Sequence, residues 1–235
     1  MFKLLLLVFP IFVFSTVLKV GKNEQFTTIK QAVSAAKSGD SILVHRGIYK
    51  EGNINITKSL SLIGIGLPIL DGEMKYEIIS FRANHILMKG FKIINSGEDE
   101  IANIGAVRLY DSQFSTIENN IFENNYFGIY VQRGFRCLIQ NNRIISHRAS
   151  SQEGSGDGIH AWVSEELWIK NNYIEGHKDG IYLEKVIKSY IYHNYSVKNL
   201  RYGLHFMFAD ENVYVNNTFD NNNAGVAVMY SNNIG

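Results

Sequence analysis

Four side chains in the last third of the sequence have the chemistry to hold a soft metal ion. His205 and Met207 stand two residues apart, Met229 follows, and His160 precedes them, with Trp162 beside it. Thioether sulfur with imidazole nitrogen suits Cu(I), whereas zinc would ask for cysteine, carboxylate or more histidine. The same residue types admit a plainer reading. Aromatic and methionine stripes often form an interface with another protein or lie under a covering loop, and the residue types alone favour that reading over copper.

Other candidates are weaker. His45, His85, His147, His177 and His193 have no clustered soft partners and read as structural or solvated. Cys137, the only cysteine, reads as a small buried hydrophobe, with no internal disulfide available. Asp157 and Asp179 each precede a glycine and could serve acid/base hydrolysis or bind calcium. Asp-Gly is also a common turn dipeptide, and no third carboxylate or basic residue completes a site, so the turn reading is preferred. Glycosylation tripeptides at Asn55, Asn194 and Asn216 carry little weight in an asparagine-rich sequence.

What positions these residues is a repeat. Ala106, Gly128, Gly158, Gly180, Gly203 and Gly225 start segments separated by 22, 30, 22, 23 and 22 residues. An aliphatic residue follows each start: Val107, Ile129, Ile159, Ile181, Leu204, Val226. Two positions on stand Leu109, Val131, Ala161, Leu183, Phe206 and Val228, and later in the period Ile117, Ile139, Ile169, Ile191 and Tyr214. Asparagine then recurs in phase at Asn120, Asn142, Asn172, Asn194 and Asn217. Strand side chains alternate, so the first and third residues after each start share a face, and that face is the core. One coil cannot bury it alone; stacking supplies the missing wall. The asparagines are expected to tolerate a left-handed turn and to form a structural ladder from coil to coil. The expected fold is all-β: a single-stranded right-handed parallel β-helix, a solenoid of coils of about 22 residues.

The intervening positions must then face outward. The second reads Tyr130, His160, Tyr182, His205, Ala227, and the fourth Gln132, Trp162, Glu184, Met207, Met229. Coil spacing of about 4.8 Å would bring the two thioethers together, with His160 two rungs from His205.

The ends and interruptions complete the plan. Met1 to Ser15 has the Lys3 charge, apolar run and small residues of a cleaved secretory signal peptide. Residues 16–235 form the β-helix domain, opened by a capping helix within Phe26–Ala36 and strands near Ile54–Ile56, Leu60–Ile63, Ile78–Phe81 and Ile86–Met88. An acidic loop at Gly97–Ile104 and a Ser/Gly-rich loop at Ala149–Gly156 interrupt the period. Gly225 opens a coil that Gly235 cuts short, as expected of a fragment of a longer chain. With 23 basic and 22 acidic residues, nothing suggests the basic face that nucleic-acid binding needs.

The motifs Gly156-Asp-Gly-Ile-His-Ala-Trp162, Lys178-Asp-Gly-Ile-Tyr-Leu183, Arg201-Tyr-Gly-Leu-His-Phe-Met-Phe208 and Ala224-Gly-Val-Ala-Val-Met-Tyr-Ser231 succeed one another, one per coil. In this the chain resembles the NosD family, periplasmic copper-binding β-helix proteins of nitrous oxide reductase maturation in denitrification. The likeness extends more generically over Val17 to about Ser96; Lys178 departs from an arginine common in the family. The resemblance implies a copper metallochaperone without catalysis of its own. It implies work with an ABC transporter permease and ATPase, a copper chaperone lipoprotein and nitrous oxide reductase. The membrane would be met only through the transporter. Carried over, the copper candidates are His205, Met207 and Met229, with His160 and Trp162 less secure. The alternatives are a secreted polysaccharide lyase or hydrolase, or a carbohydrate-binding β-helix, which fold alone does not separate.

Overall fold

The computed structural model describes residues 15–98, 104–147 and 155–235. The expected signal peptide, except Ser15, and most of both interrupting loops lie outside these. Each coil contributes short strands to three sheets, and every strand pairs in parallel with its counterpart one coil away. The start sheet, which carries the segment starts, has eight strands from Ile54–Ile56 to Ala224–Met229. A second sheet has nine, from Val17–Val20 to Val213–Val215, and a third has eight, from Ile48–Tyr49 to Thr218–Asp220.

The apolar columns set the register. Val107, Ile129, Ile159, Ile181, Leu204 and Val226 are consecutive Cα partners across the start sheet. Ile117, Ile139, Ile169, Ile191 and Tyr214 are partners across the second. The aliphatic members from Val107 to Leu204 and from Ile117 to Ile191 are fully enclosed, each stabilising the solenoid by about 1.5–3 kcal/mol. Slipping one residue would turn every one of them outward.

Inside the turn after the second sheet, Asn120, Asn142, Asn172, Asn194 and Asn217 stack. Each of the first four donates Nδ2–H and its backbone N–H to Oδ1 of the next, at 2.9–3.2 Å. The other Nδ2–H of Asn142, Asn172, Asn194 and Asn217 goes to the carbonyl of Ile117, Ile139, Ile169 and Ile191. The left-handed conformation falls one residue earlier than expected, on Asn119, Asn141, Asn171, His193 and Asn216, with φ between 54° and 55°. The preceding residue turns the chain, and the ladder asparagine bonds it.

At the segment starts the coils approach too closely for a side chain. A Cβ on Gly128, Gly158, Gly180 or Gly203 would come within 2.5–2.8 Å of the carbonyl oxygen of the next glycine, ending at Gly225.

The helix is Ile29–Ala35, shorter than the sequence suggests, and packs Ile29, Ala32 and Val33 on the first coils. Thr28 and Gln31 form a capping box. The Glu51 carboxylate accepts the N–H groups of Ile29 and Lys30, and Lys58 Nζ donates to the carbonyls of Val33, Ser34 and Ala36. An anion and a cation thus sit at the ends that the helix dipole favours. Strands at Ile54–Ile56, Ser61–Ile65, Ile79–Phe81 and Leu87–Lys89 agree with the expected ones within a residue or two.

Candidate functional site

The outer face of the start sheet carries the predicted stripe. Tyr130, His160, Tyr182, His205 and Ala227 are successive Cα partners, as are Gln132, Trp162, Glu184, Met207 and Met229. Alternation points both columns away from the core. The first column is a stack of rings: centroids lie 4.4 Å apart between Tyr130 and His160, 4.8 Å between His160 and Tyr182, and 4.7 Å between Tyr182 and His205. Tyr202 closes on His205 from the side at 4.9 Å.

The expectation of an open face needs correction at the two histidines. His160 is 8% exposed and His205 2%. They point outward but are covered by neighbouring tyrosines, stacked in the case of Tyr130 on His160 and tilted or edge-on for Tyr182 and Tyr202.

The aspartates are the second correction. Asp157 and Asp179 are buried and bind histidines instead of merely shaping turns. Asp157 Oδ2 lies 2.9 Å from His160 Nδ1, and Asp179 Oδ2 lies 2.9 Å from His205 Nδ1. The two carboxylates are linked, because the Asp179 N–H donates to Asp157 Oδ1 at 3.1 Å. Arg201 donates from Nε and Nη2 to both oxygens of Asp179. Burial by itself would raise the Asp179 pKa; the hydrogen bonds and charges of Arg201 and His205 outweigh it and hold the carboxyl below the ordinary value.

This pairing selects a histidine tautomer. Arg201 Nη2 also lies 3.3 Å from His205 Nδ1, but a guanidinium is only a donor. The carboxylate is the nearer partner and needs a proton, so Nδ1 carries a hydrogen, and in the neutral ring Nε2 holds the lone pair. That nitrogen is buried and has no hydrogen-bond partner among the described residues. A histidine held through one nitrogen by a carboxylate, with the other free, is the usual arrangement of a metal-ligating imidazole.

Met207 and Met229 are half-buried Cα partners on adjacent rungs, about 4.8 Å apart. Met207 is two residues from His205 on the same face. The structure therefore brings His205, Met207 and Met229 to one corner of the stripe and leaves His160 two rungs away. Two thioethers and an imidazole are the donor types that a soft metal ion prefers. Among the described residues, no group of three histidine, cysteine or carboxylate side chains fits a hard or borderline metal.

Two open clefts of about 320 Å³ flank His160. One is lined by Tyr126, Phe127, Asp157, Lys178, Tyr182 and Arg201; the other by Arg108, Tyr130, Gln132, Trp162 and Glu184. Of the remaining histidines, His177 is enclosed, and neither ring nitrogen meets a partner in full hydrogen-bond geometry. Burial pushes it down to about 4, only partly offset by the nearby carbonyls of Gly156 and Tyr126, which face the ring without completing a bond. Burial likewise pushes the Cys137 thiol up to about 11, which makes it a poor thiolate ligand.

Comparison with known proteins agrees with the fold. Residues 22–162 match the family model described as "Right handed beta helix region", and residues 146–234 match that described as "Periplasmic copper-binding protein (NosD)". No match was found among curated proteins. Similar solved structures include the pectate lyase Pel9A, with TM-score 0.62, 13% identity, 92% of this chain covered and 78% of that one. The catalytic domain of a GH87 α-1,3-glucanase has TM-score 0.62 and 14% identity, with 92% of this chain and 45% of that one covered. The periplasmic alginate epimerase AlgG has TM-score 0.59 and 13% identity, with 87% and 52% covered. At such identities the likeness is one of fold. The chain belongs to the right-handed β-helix family, and the part of it that carries His205, Met207 and Met229 is similar to the NosD copper-binding proteins.

Proposed function

We propose that this chain is an exported copper-handling protein that holds Cu(I) at His205, Met207 and Met229 and passes it toward nitrous oxide reductase. In this reading an ABC transporter and a copper chaperone lipoprotein bring the ion, and the chain performs no covalent chemistry of its own. The buried, unpartnered Nε2 of His205 supports the reading most directly, because the Asp179 bond holds it in the ligand tautomer. Two thioethers and one imidazole leave a coordination position open for an incoming ligand, which transfer requires. No thiolate anchors the ion, so release is easier than from a structural site.

The test is Cu(I) titration against a competing chelator. Met207→Leu with Met229→Leu nearly preserves volume, so folding survives, with a stability change under about 1.5 kcal/mol. The double variant is expected to lose at least about tenfold in Cu(I) affinity. Unchanged affinity would remove the thioethers from the site and leave the stripe as a docking surface.

One observation favours a second reading, saccharide binding. Trp162 stands between Gln132 and Glu184 on successive rungs of an open cleft, an aromatic platform with hydrogen-bonding groups on either side. An oligosaccharide panel separates the two: this reading requires saturable binding that Trp162→Ala abolishes and copper does not alter.

A further inference from the structure

The cleft on the other side of His160 has no part in holding copper, and its polar groups are unevenly arranged. Lys178 and Arg201 both line it. Among the described residues, Lys178 Nζ has no ion pair or hydrogen bond. Arg201 uses Nε and Nη2 on Asp179, which leaves Nη1 without a partner among the described residues, and its side chain is 27% exposed. The acidic groups nearby are turned to internal work. Asp157 has one oxygen on His160 and the other on the Asp179 N–H. Asp179 is enclosed, with both oxygens on Arg201 and one also on His205. The cleft therefore offers a ligand cationic donors, while its carboxylates are each already hydrogen-bonded within the protein.

Its remaining lining sets aromatic rings beside Ser155 and Gly156. The rings of Tyr126 and Phe127 pack edge to face at 4.9 Å on one side, and Tyr182 stands on another. The volume, about 320 Å³, is at the lower end for ligand pockets, about 300–1,000 Å³.

We infer that this cleft binds a small organic carboxylate, with the anionic group between Lys178 and Arg201 and the carbon skeleton against Tyr126 and Phe127. A guanidinium edge matches a carboxylate in shape, and an unpaired ammonium beside it adds a charge-assisted bond. The site lies outside the proposed copper ligands and stands whether or not copper binds at them.

Calorimetric titration of the copper-free chain with succinate tests it, with the neutral diamide succinamide and inorganic phosphate as controls. Saturable succinate binding is expected, with succinamide weaker by at least about tenfold. Lys178 is half-exposed, so Lys178→Met should leave the unfolding midpoint unchanged while weakening succinate about tenfold, and Lys178→Arg should restore it. Three results would each overturn the inference: succinamide binding as tightly as succinate, phosphate binding more tightly than either, or Lys178→Met leaving succinate affinity unchanged. Because copper is absent from every arm, the outcome is independent of the Cu(I) titration.

Discussion

The early and late coils share one backbone and one outer column but use its polar groups in opposite ways. In the early coils Glu77 is the centre. Its carboxylate accepts from Ser80 and from Tyr110 at 3.1 Å and pairs with Arg108 at 3.9 Å, while Arg82 lies over the Tyr110 ring. Burial dominates there and raises the Glu77 pKa. In the late coils Asp179 is as well supplied with donors, and its pKa falls. The early cluster closes its carboxylate on its own donors. The late one leaves His205 Nε2 and two thioethers unengaged, and that remainder is what a ligand can use.

The comparison breaks most readily at Asp179. Asp179→Ala would leave Arg201 and His205 facing a buried gap, at a cost of about 3–5 kcal/mol. Glu77→Gln keeps a hydrogen-bonding group in a carboxyl already disposed toward its neutral form, and should cost about 1–2 kcal/mol. Urea unfolding of both variants measures the contrast; equal losses would mean that the two clusters do the same work.

Acid should act on the late coils first. His177 is enclosed there, whereas His45 and His85 in the early coils are not. A folded pKa of about 4 against an ordinary 6.5 means that the unfolded chain takes up the proton first. The stability is complete above about pH 6.5 and is lost as the pH falls toward 4, by about 3 kcal/mol in all. Asp179, held low, begins to lose its contribution only as the pH falls to the ordinary carboxylate value and loses the rest below it. Denaturation midpoints of wild type and His177→Leu between pH 7 and 4 would show this. Parallel curves would assign the acid sensitivity elsewhere.

The asparagine ladder is where the two regions should not differ. Asn120→Ala and Asn172→Ala each remove a stacked amide bonded on both sides, and each should cost about 1–3 kcal/mol. If Asn172 alone proves costly in thermal melts, the ladder is not the uniform spine described above.

Much of the fold is legible because the apolar period is long and regular. The columns at Val107, Leu109 and Ile117 and their equivalents are Cα partners in the positions that the spacing predicts. The third sheet is not legible: its strands span two or three residues, too few for alternation to show. At the site, the sequence places His205, Met207 and Met229 on one face but hides what holds the imidazole. Asp179 is 26 residues from His205, and its Asp-Gly dipeptide looks like a turn. The signal available was the offset itself. Asp157 reaches His160 three residues on, within its own coil. Tyr202 occupies that place before His205, so the carboxylate must come from the coil below.

The glycine column has a consequence for how such a chain can change over generations. Where neighbouring carbonyls leave no room for a Cβ, a coil cannot drift by a residue relative to the next. Gly158 and Gly180 are 22 residues apart. Excising residues 159–180 would join Gly158 to Ile181 with every column still aligned, whereas removing one residue fewer would set inside against outside in all that follows. The heritable unit is therefore the whole coil. The chain can lengthen or shorten by duplication and loss of complete turns, carrying a binding rung with it or leaving one behind.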